Sequence, residues 1–237
     1  MTFRKFLKIT AENFRSFCCF FLHRAKRGVG AADKKIIGNY FKKEGVKKLH
    51  LGCGERPLEG WLNSDYFPKS PSVLEMDVTK KFPFNDSIFD YVFCEHLIEH
   101  ITYLNGNFML AESFRVLKPG GKIRISTPDL NFLIELYGKE KNSRQTEYVK
   151  WCAVRFPKNV LYPEDVFVIN NFVRDWGHRF IYDEKTLNRS LQIAGFSNIV
   201  RHELNESSDP ELRHLENDAR MPAGFLKLET FTLEAEK

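Results

Sequence analysis

The sequence predicts an α/β fold: a mostly parallel sheet with helices on both faces. Two observations carry that prediction. From residue 34 onward, short apolar runs of strand length alternate with stretches whose apolar residues recur at helical spacing. The chain is also of a size and composition to close one core. It has 237 residues, 43% of them apolar and 28% charged, with 22 Phe among the apolar set. That suffices for one domain plus an arm or insertion and excludes a disordered or fibrous chain. The five Cys include no CxxC pair and no regular spacing, so neither a disulfide framework nor a zinc ribbon is expected. Reduced thiols in a cytoplasmic setting are the expectation.

The elements follow in order. Lys34–Lys43 reads as a short helix with Ile36, Ile37, Tyr40 and Phe41 on one side. Val46–Leu51 is a strand ended by Gly52-Cys53-Gly54. Leu62–Tyr66 and Val73–Met76 are the second and third strands, and Phe89–Cys94 is an unbroken apolar fourth. Asn107–Leu117 has helical spacing through Phe108, Ala111, Phe114 and Val116, and Lys118-Pro119-Gly120-Gly121 should end it. Lys122–Thr127 alternates as a strand, and Pro128-Asp129 opens a loop. Helices are expected at 130–138 and 144–154, then an irregular aromatic-rich cover over 155–182. Glu184–Ala194 reads as a helix closed by Gly195, Asn198–Leu204 as a strand, and Leu226–Ala235 as the last strand.

Residues 1–33 form a separate unit, and 34–237 the domain proper, with a substrate-side insertion at about 139–182. Residues 1–48 carry thirteen Lys/Arg against Glu12, Asp33 and Glu44, while the rest has 23 basic and 28 acidic groups. The net charge of +5 is thus a basic front end on a mildly acidic body. Phe3, Phe6, Leu7, Thr10, Phe14, Phe17, Cys18 and Phe21 recur at helical spacing among basic residues. The apolar run Phe17–Leu22 is far short of the roughly 20 residues a spanning helix needs. Residues 1–27 therefore read either as an amphipathic helix on an anionic membrane face or as a helix packed on its own domain or on a second subunit of a homo-oligomer. The expected location is cytoplasmic, peripheral to the inner membrane face in the first case.

In a parallel sheet of this kind, ligands bind beyond the carboxyl ends of the strands. The segments to inspect are Gly52–Gly54, Asp65, Asp77, Glu95–His100 and Thr127–Asp129. Glycines after a strand let backbone approach a ligand, since no Cβ intervenes. A dinucleotide fingerprint would need a third glycine at position 57, which is Pro, and an acidic residue about 20 positions on. Asp65 follows Gly54 by only 11, so NAD is a poor fit. Asp65 could accept both hydroxyls of a ribose or close an Asx turn. Asp77, closing the next strand, has the same two readings, with an adenine amino group as the functional partner.

The blocks KKLHLGCGERPLEGWLNSDYFP, FPFNDSIFDYVFCEHLIEHI and ESFRVLKPGGKIRISTPDL together resemble class I S-adenosylmethionine-dependent methyltransferases. They are most similar to the compact bacterial type 11 group linked to surface-polysaccharide and sugar modification. The resemblance covers about residues 46–130, with a weaker echo at 183–203. It implies a doubly wound, seven-stranded Rossmann-like sheet and S-adenosyl-L-methionine as cofactor. By the same resemblance, Leu51, Gly52, Cys53 and Gly54 would line the methionine part of the cofactor. Asp65 would hold the ribose, Asp77 and Val78 would flank the adenine, and Glu95 would sit beside the cofactor. His50-Leu51 stands where the group often has an acidic residue.

The resemblance implies methyl transfer to a small-molecule, carbohydrate or lipid-linked acceptor. Its rivals are an RNA or protein acceptor, or a catalytically silent, membrane-associated scaffold. The acidic body argues against nucleic acid as a partner. A sugar hydroxyl would need a general base, for which the candidates are His178, then His96 and Asp129. Arg174, Trp176 and Arg179 nearby are candidates for holding an anionic or sugar-like acceptor. His96-Leu97-Ile98-Glu99-His100 also spells the HxxEH zinc motif. That motif needs a long helix, whereas this segment directly follows a strand, so no metal is expected.

Overall fold

The computed structural model describes residues 30–138, 140–156 and 161–237. The arm predicted over residues 1–27 lies outside them. Helix α1, Ala31–Phe41, starts three residues before the predicted one and crosses the expected arm boundary. Strands β1 (Lys48–Leu51), β2 (Leu62–Asp65), β3 (Leu74–Glu75) and β4 (Phe89–Glu95) follow. Helix α2 is Tyr103–Val116, and β5 is Leu117–Pro128. Helices α3 (Leu130–Gly138), α4 (Ser143–Arg155), α5 (Asp165–Arg174) and α6 (Glu184–Ala194) come next. Strand β6 (Ser197–His202), the short helix α7 (Phe225–Glu229) and β7 (Thr230–Glu236) complete the chain. Among the described residues, no helix is long and apolar enough to cross a membrane.

The sheet has seven strands in the order β3-β2-β1-β4-β5-β7-β6. Strand β1 pairs parallel with both β2 and β4. The chain thus winds outward from β1 to β3, returns, and continues from β4 on the other side. That reversal is the topological switch point, and it opens at the carboxyl ends of β1 and β4. Only β7 runs antiparallel, between β5 and β6. The central strands are apolar because helices cover both faces: Val92, Phe93 and Cys94 of β4 are all fully buried.

Several boundaries differ from the sequence expectation for local reasons. Helix α2 begins at Tyr103 because the Thr102 hydroxyl accepts the Asn105 N–H at 3.3 Å, a cap that satisfies a first-turn donor. Lys118–Gly121 does not leave the sheet. It is absorbed as a bulge at the start of β5, where the pairing shifts from Phe89↔Leu117 to Tyr91↔Lys122. The expected irregular cover at 155–182 contains α5, whose Val168 and Phe172 lie four residues apart and bury against Phe132, Leu133, Leu136, Tyr148 and Val149. This second apolar cluster also takes Phe225, which is why α7 occupies the front of the predicted last strand.

One charge sits at the centre of the sheet. Arg124 of β5 is fully buried. Its Nε donates to Glu216 Oε1 at 2.6 Å, and its Nη2 to Glu216 Oε2 at 3.0 Å. Its Nη1 donates to Glu234 Oε1 of β7 at 2.5 Å and to the Glu206 carbonyl at 2.8 Å. Glu216 also accepts the Ser126 hydroxyl and the Asn205 N–H. Arg124→Ala should therefore destabilise the fold by about 3–5 kcal/mol, the cost of stranding buried charge. Urea unfolding checks it; a loss below roughly 1 kcal/mol would mean water satisfies the two glutamates as well as Arg124 does.

Candidate active site

The pairing register lines up the carboxyl ends of β1, β2, β4 and β5. Leu51 lies opposite Ser64 and Cys94, and Glu95 opposite Ser126. The residues of the first turn divide into packing and open positions. Leu51 is fully buried. Gly52 has φ +67, and a Cβ there would come 2.9 Å from Leu97 Cδ2, so its missing side chain makes room for Leu97. Cys53 is buried and donates its N–H to the Ser64 carbonyl at 2.9 Å. Burial and the neighbouring Asp65 push its thiol up to about 11, so it is not a nucleophile. Gly54, with φ +54, has no atom of the described residues, its chain neighbours aside, within 4 Å of its Cβ position. Its backbone is the open face of the turn.

Asp65 closes that turn. Its Oδ2 accepts the Gly54 N–H at 2.9 Å, and its Oδ1 accepts the Phe67 N–H at 2.8 Å. The turn reading of this residue is therefore realised, yet each carboxylate oxygen keeps a further lone pair. Tyr66 and Phe67 stand exposed beside it with their rings 4.5 Å apart. Asp77 folds onto its own loop: Oδ1 accepts the Thr79 N–H at 3.0 Å and its hydroxyl at 2.6 Å, and Oδ2 pairs with Lys80 at 2.9 Å. Burial works against ionisation here, but the Thr79 and Lys80 contacts hold the carboxyl below its ordinary value. Val78 is buried in the main core.

His50 is buried on β1. Its Nδ1 meets Asn63 Oδ1 at 3.0 Å, and its ring packs 5.1 Å from that of Phe93. It joins β1 to β2 rather than facing the turn. Burial brings it down to about 4, so it is neutral.

The exit of β4 holds the remaining candidates. Glu95 Oε1 accepts the Asn217 N–H at 2.9 Å. His96 has φ +46, and each of its ring nitrogens faces a polar group. Nε2 lies 2.9 Å from Thr230 Oγ1, and Nδ1 lies 3.1 Å from Glu99 Oε1. The approach to Glu99 is off line, so that buried oxygen has no hydrogen-bond partner among the described residues. Glu99 Oε2 accepts the Thr127 hydroxyl at 3.1 Å. Burial alone would raise the Glu99 carboxyl; the His96 and His100 rings beside it bring it down to about 2. Asp129, at the exit of β5, is buried; its Oδ1 accepts the Asn131 N–H, and Arg201 stands 3.9 Å from Oδ2. Burial raises it above the ordinary carboxylate value.

His178 arrives from the cover. Its Nδ1 donates to the Phe172 carbonyl at 2.8 Å, which leaves Nε2 as a free lone pair. Burial lowers its affinity for a proton. The His100 ring stands 4.9 Å away at 72°. Glu99, His100 and His178 each bring one ligand-capable atom within 4.8 Å of the others. The HxxEH spacing suggested His96 with His100; the structure instead joins Glu99 and His100 to a histidine 78 positions further on. Trp176, at φ +55, packs on Phe156, Phe172 and His178, while Arg174 and Arg179 are exposed. A separate groove of 640 Å³, lined by Asn131, Glu184, Lys185, Asn188, Arg189 and Gln192, contains none of the candidate residues.

A family model described as a methyltransferase domain matches residues 49–125, from β1 into β5. The match supports an S-adenosylmethionine-dependent methyltransferase. No curated protein matches the chain. Among solved structures, it is similar to a SAM-dependent methyltransferase from Archaeoglobus fulgidus, at 16% identity and TM-score 0.46, over 86% of this chain and 92% of that one. It is similar to an S-adenosylmethionine-dependent methyltransferase from Mesorhizobium loti, at 17% and 0.47, over 88% and 99%. A third is phosphoethanolamine N-methyltransferase 2 of Haemonchus contortus, solved with S-adenosyl-L-methionine, at 14% and 0.41, over 86% and 52%.

His50 gives the site a pH signature. Its folded value lies below its unfolded one, so its contribution to stability is complete above about pH 6.5 and is lost as pH falls toward 4. Wild type should lose roughly 3 kcal/mol from this group between pH 7 and 4, and His50→Gln should lack that part. Guanidinium unfolding at several pH values measures the difference; parallel profiles for the two proteins would refute it.

Proposed function

We propose that the chain transfers the methyl group of S-adenosylmethionine to a hydroxyl of a small-molecule, sugar or lipid-linked acceptor. The observation that carries this reading is the open Nε2 of His178, held beside Glu99 by the Phe172 carbonyl. Of the three candidate bases, His96 has Nε2 on Thr230 and Nδ1 turned toward the buried Glu99 carboxylate at 3.1 Å, and Asp129 is tied to Asn131. An amine acceptor needs little beyond alignment, whereas a hydroxyl needs an activating group within reach. A free imidazole lone pair under an aromatic cover suits the second case.

The residues at the strand exits fit the cofactor. Gly54 leaves open space at its Cβ position among the described residues, and the Asp65 oxygens can still accept a ribose diol. When bound, the cofactor supplies an already electrophilic methyl group. The chain's own part is to orient the acceptor oxygen on the line of the S–CH₃ bond, exclude water and take up the acceptor's proton. Thr127 near the end of β5 donates to Glu99, which stands beside His178, so the acceptor would enter beneath the helical cover of α3, α4 and α5.

Calorimetric titration should give micromolar binding of S-adenosylmethionine and its demethylated product, and none of NAD. Asp65→Ala should weaken cofactor binding by about 1–3 kcal/mol, as polar partners are left unsatisfied; an unchanged dissociation constant would leave Asp65 a turn residue only. His178→Ala should lower kcat by about 10²–10⁴-fold while cofactor affinity holds. Labelled methyl transfer to hydroxyl acceptors measures it. Absence of cofactor binding by folded protein would overturn the reading.

A further inference from the structure

We propose that Glu99, His100 and His178 form a divalent metal site of the zinc type at the acceptor side of the sheet. Two imidazoles and one carboxylate are a ligand set that suits Zn²⁺ with its fourth position open. Each ligand is prepared in a way that packing does not require. Glu99 is fully buried, spends Oε2 on Thr127, and leaves Oε1 without an aligned donor. A buried carboxylate oxygen in that state is costly unless something fills its coordination. His178 donates Nδ1–H to a backbone carbonyl, the arrangement that fixes the tautomer of a metal-bound imidazole and turns Nε2 toward the ion. His100 is exposed, so its ring can rotate to close the distance.

The backbone ties the ligands together across the fold. The Arg179 and Phe180 N–H groups both donate to the Glu99 carbonyl, at 2.7 and 3.2 Å. Trp176 and Gly177, at φ +55 and +77, turn the chain so that His178 follows directly. Gly177 lies beside His100; a Cβ there would sit in ordinary contact, 3.8 Å from its Nδ1. The ligand atoms lie within 4.8 Å of one another and have to stand about 3.3 Å apart for bonds of about 2.0–2.1 Å in a tetrahedron. His96 is the competing partner of Glu99 Oε1 and would keep its bond to Thr230.

The use of the ion rests on the methyl-transfer reading; its binding does not. With the ion bound, His178 Nε2 is a ligand and no longer the base; the cation would lower the pKa of a coordinated acceptor hydroxyl, and its proton would pass to solvent water.

The test uses the untagged full chain, freed of metal by chelator and dialysed against Zn²⁺, with Co²⁺ as a spectroscopic probe. About one ion per chain should be retained, with visible Co²⁺ bands of low-coordinate geometry. His100→Ala and His178→Ala should each weaken retention by roughly 10–100-fold or more, and exposed His214→Ala should not. His100 is a surface residue, so its variant stays folded. No retention by wild type, or equal retention by the His100→Ala/His178→Ala double variant, overturns the site. S-adenosylmethionine affinity measured on the same samples separates the two ideas. Cofactor binding without metal removes only the site, and metal without cofactor removes only the methyl-transfer reading.

Discussion

The Arg124 guanidinium is the point on which the second half of the molecule is assembled. It is buried in β5 and reaches Glu234 on β7 and Glu216 on the segment that crosses the sheet. Two carboxylates meet one guanidinium, and His202 stands 3.2 Å from the same Glu234. Such a group contributes less to net stability than to the choice of arrangement, because apolar residues could fill the space at lower desolvation cost. What it selects is where residues 203–217 lie. That segment carries Asn217, whose N–H holds Glu95 at the exit of β4. The ion cluster therefore reaches the site through backbone as well as through the sheet.

A second linkage runs from the helical cover. Tyr148 of α4 donates its hydroxyl to Glu229, and Glu229 precedes Thr230, the partner of His96. The Glu229 carbonyl accepts the Asp129 N–H at 2.8 Å. Burial raises the Glu229 carboxyl above its ordinary value, which suits an acid held between a phenol and the core. The cover is thus bound at the same strand exits it shelters, and His178 is delivered by helix α5 and the turn after it rather than by the sheet.

The parallel half of the fold was legible because its strands are buried on both faces and end at glycine or acidic residues. Phe89–Cys94 and Leu62–Asp65 needed no tertiary information. The less legible parts are those where packing outweighed local preference. Lys118-Pro119-Gly120-Gly121 has the composition of a helix stop followed by a loop, but β4 continues alongside it, so the turn became a bulge. Asp165–Arg174 has only Val168 and Phe172 as fully buried apolar residues, too sparse a stripe to stand out in an aromatic-rich stretch. Thr230 and Asn217, which hold His96 and Glu95, carry no local signal at all; they reach the site through long-range pairing alone.

The site shows the same division in five residues. Helical spacing would set His96 and His100 on one face, and that premise fails because the chain is not helical there. His96 takes a left-handed backbone at φ +46, and Ile98–His100 forms a single tight turn of three residues. The reversal sends His96 toward β7, puts Glu99 inside against Thr127, and leaves His100 outward, where His178 meets it. A spacing rule assumes its backbone; once the strand exit imposes another, the same letters yield a different set of neighbours. The residue that completes the set could only come from the far side of the cover. The single sequence cue to it was a histidine in the Asp175–Arg179 turn, a stretch rich in groups with polar tips. Its role follows from the one hydrogen bond that fixes its ring: with Nδ1 committed to Phe172, Nε2 is the only nitrogen of the three candidate bases left to act on anything the protein binds.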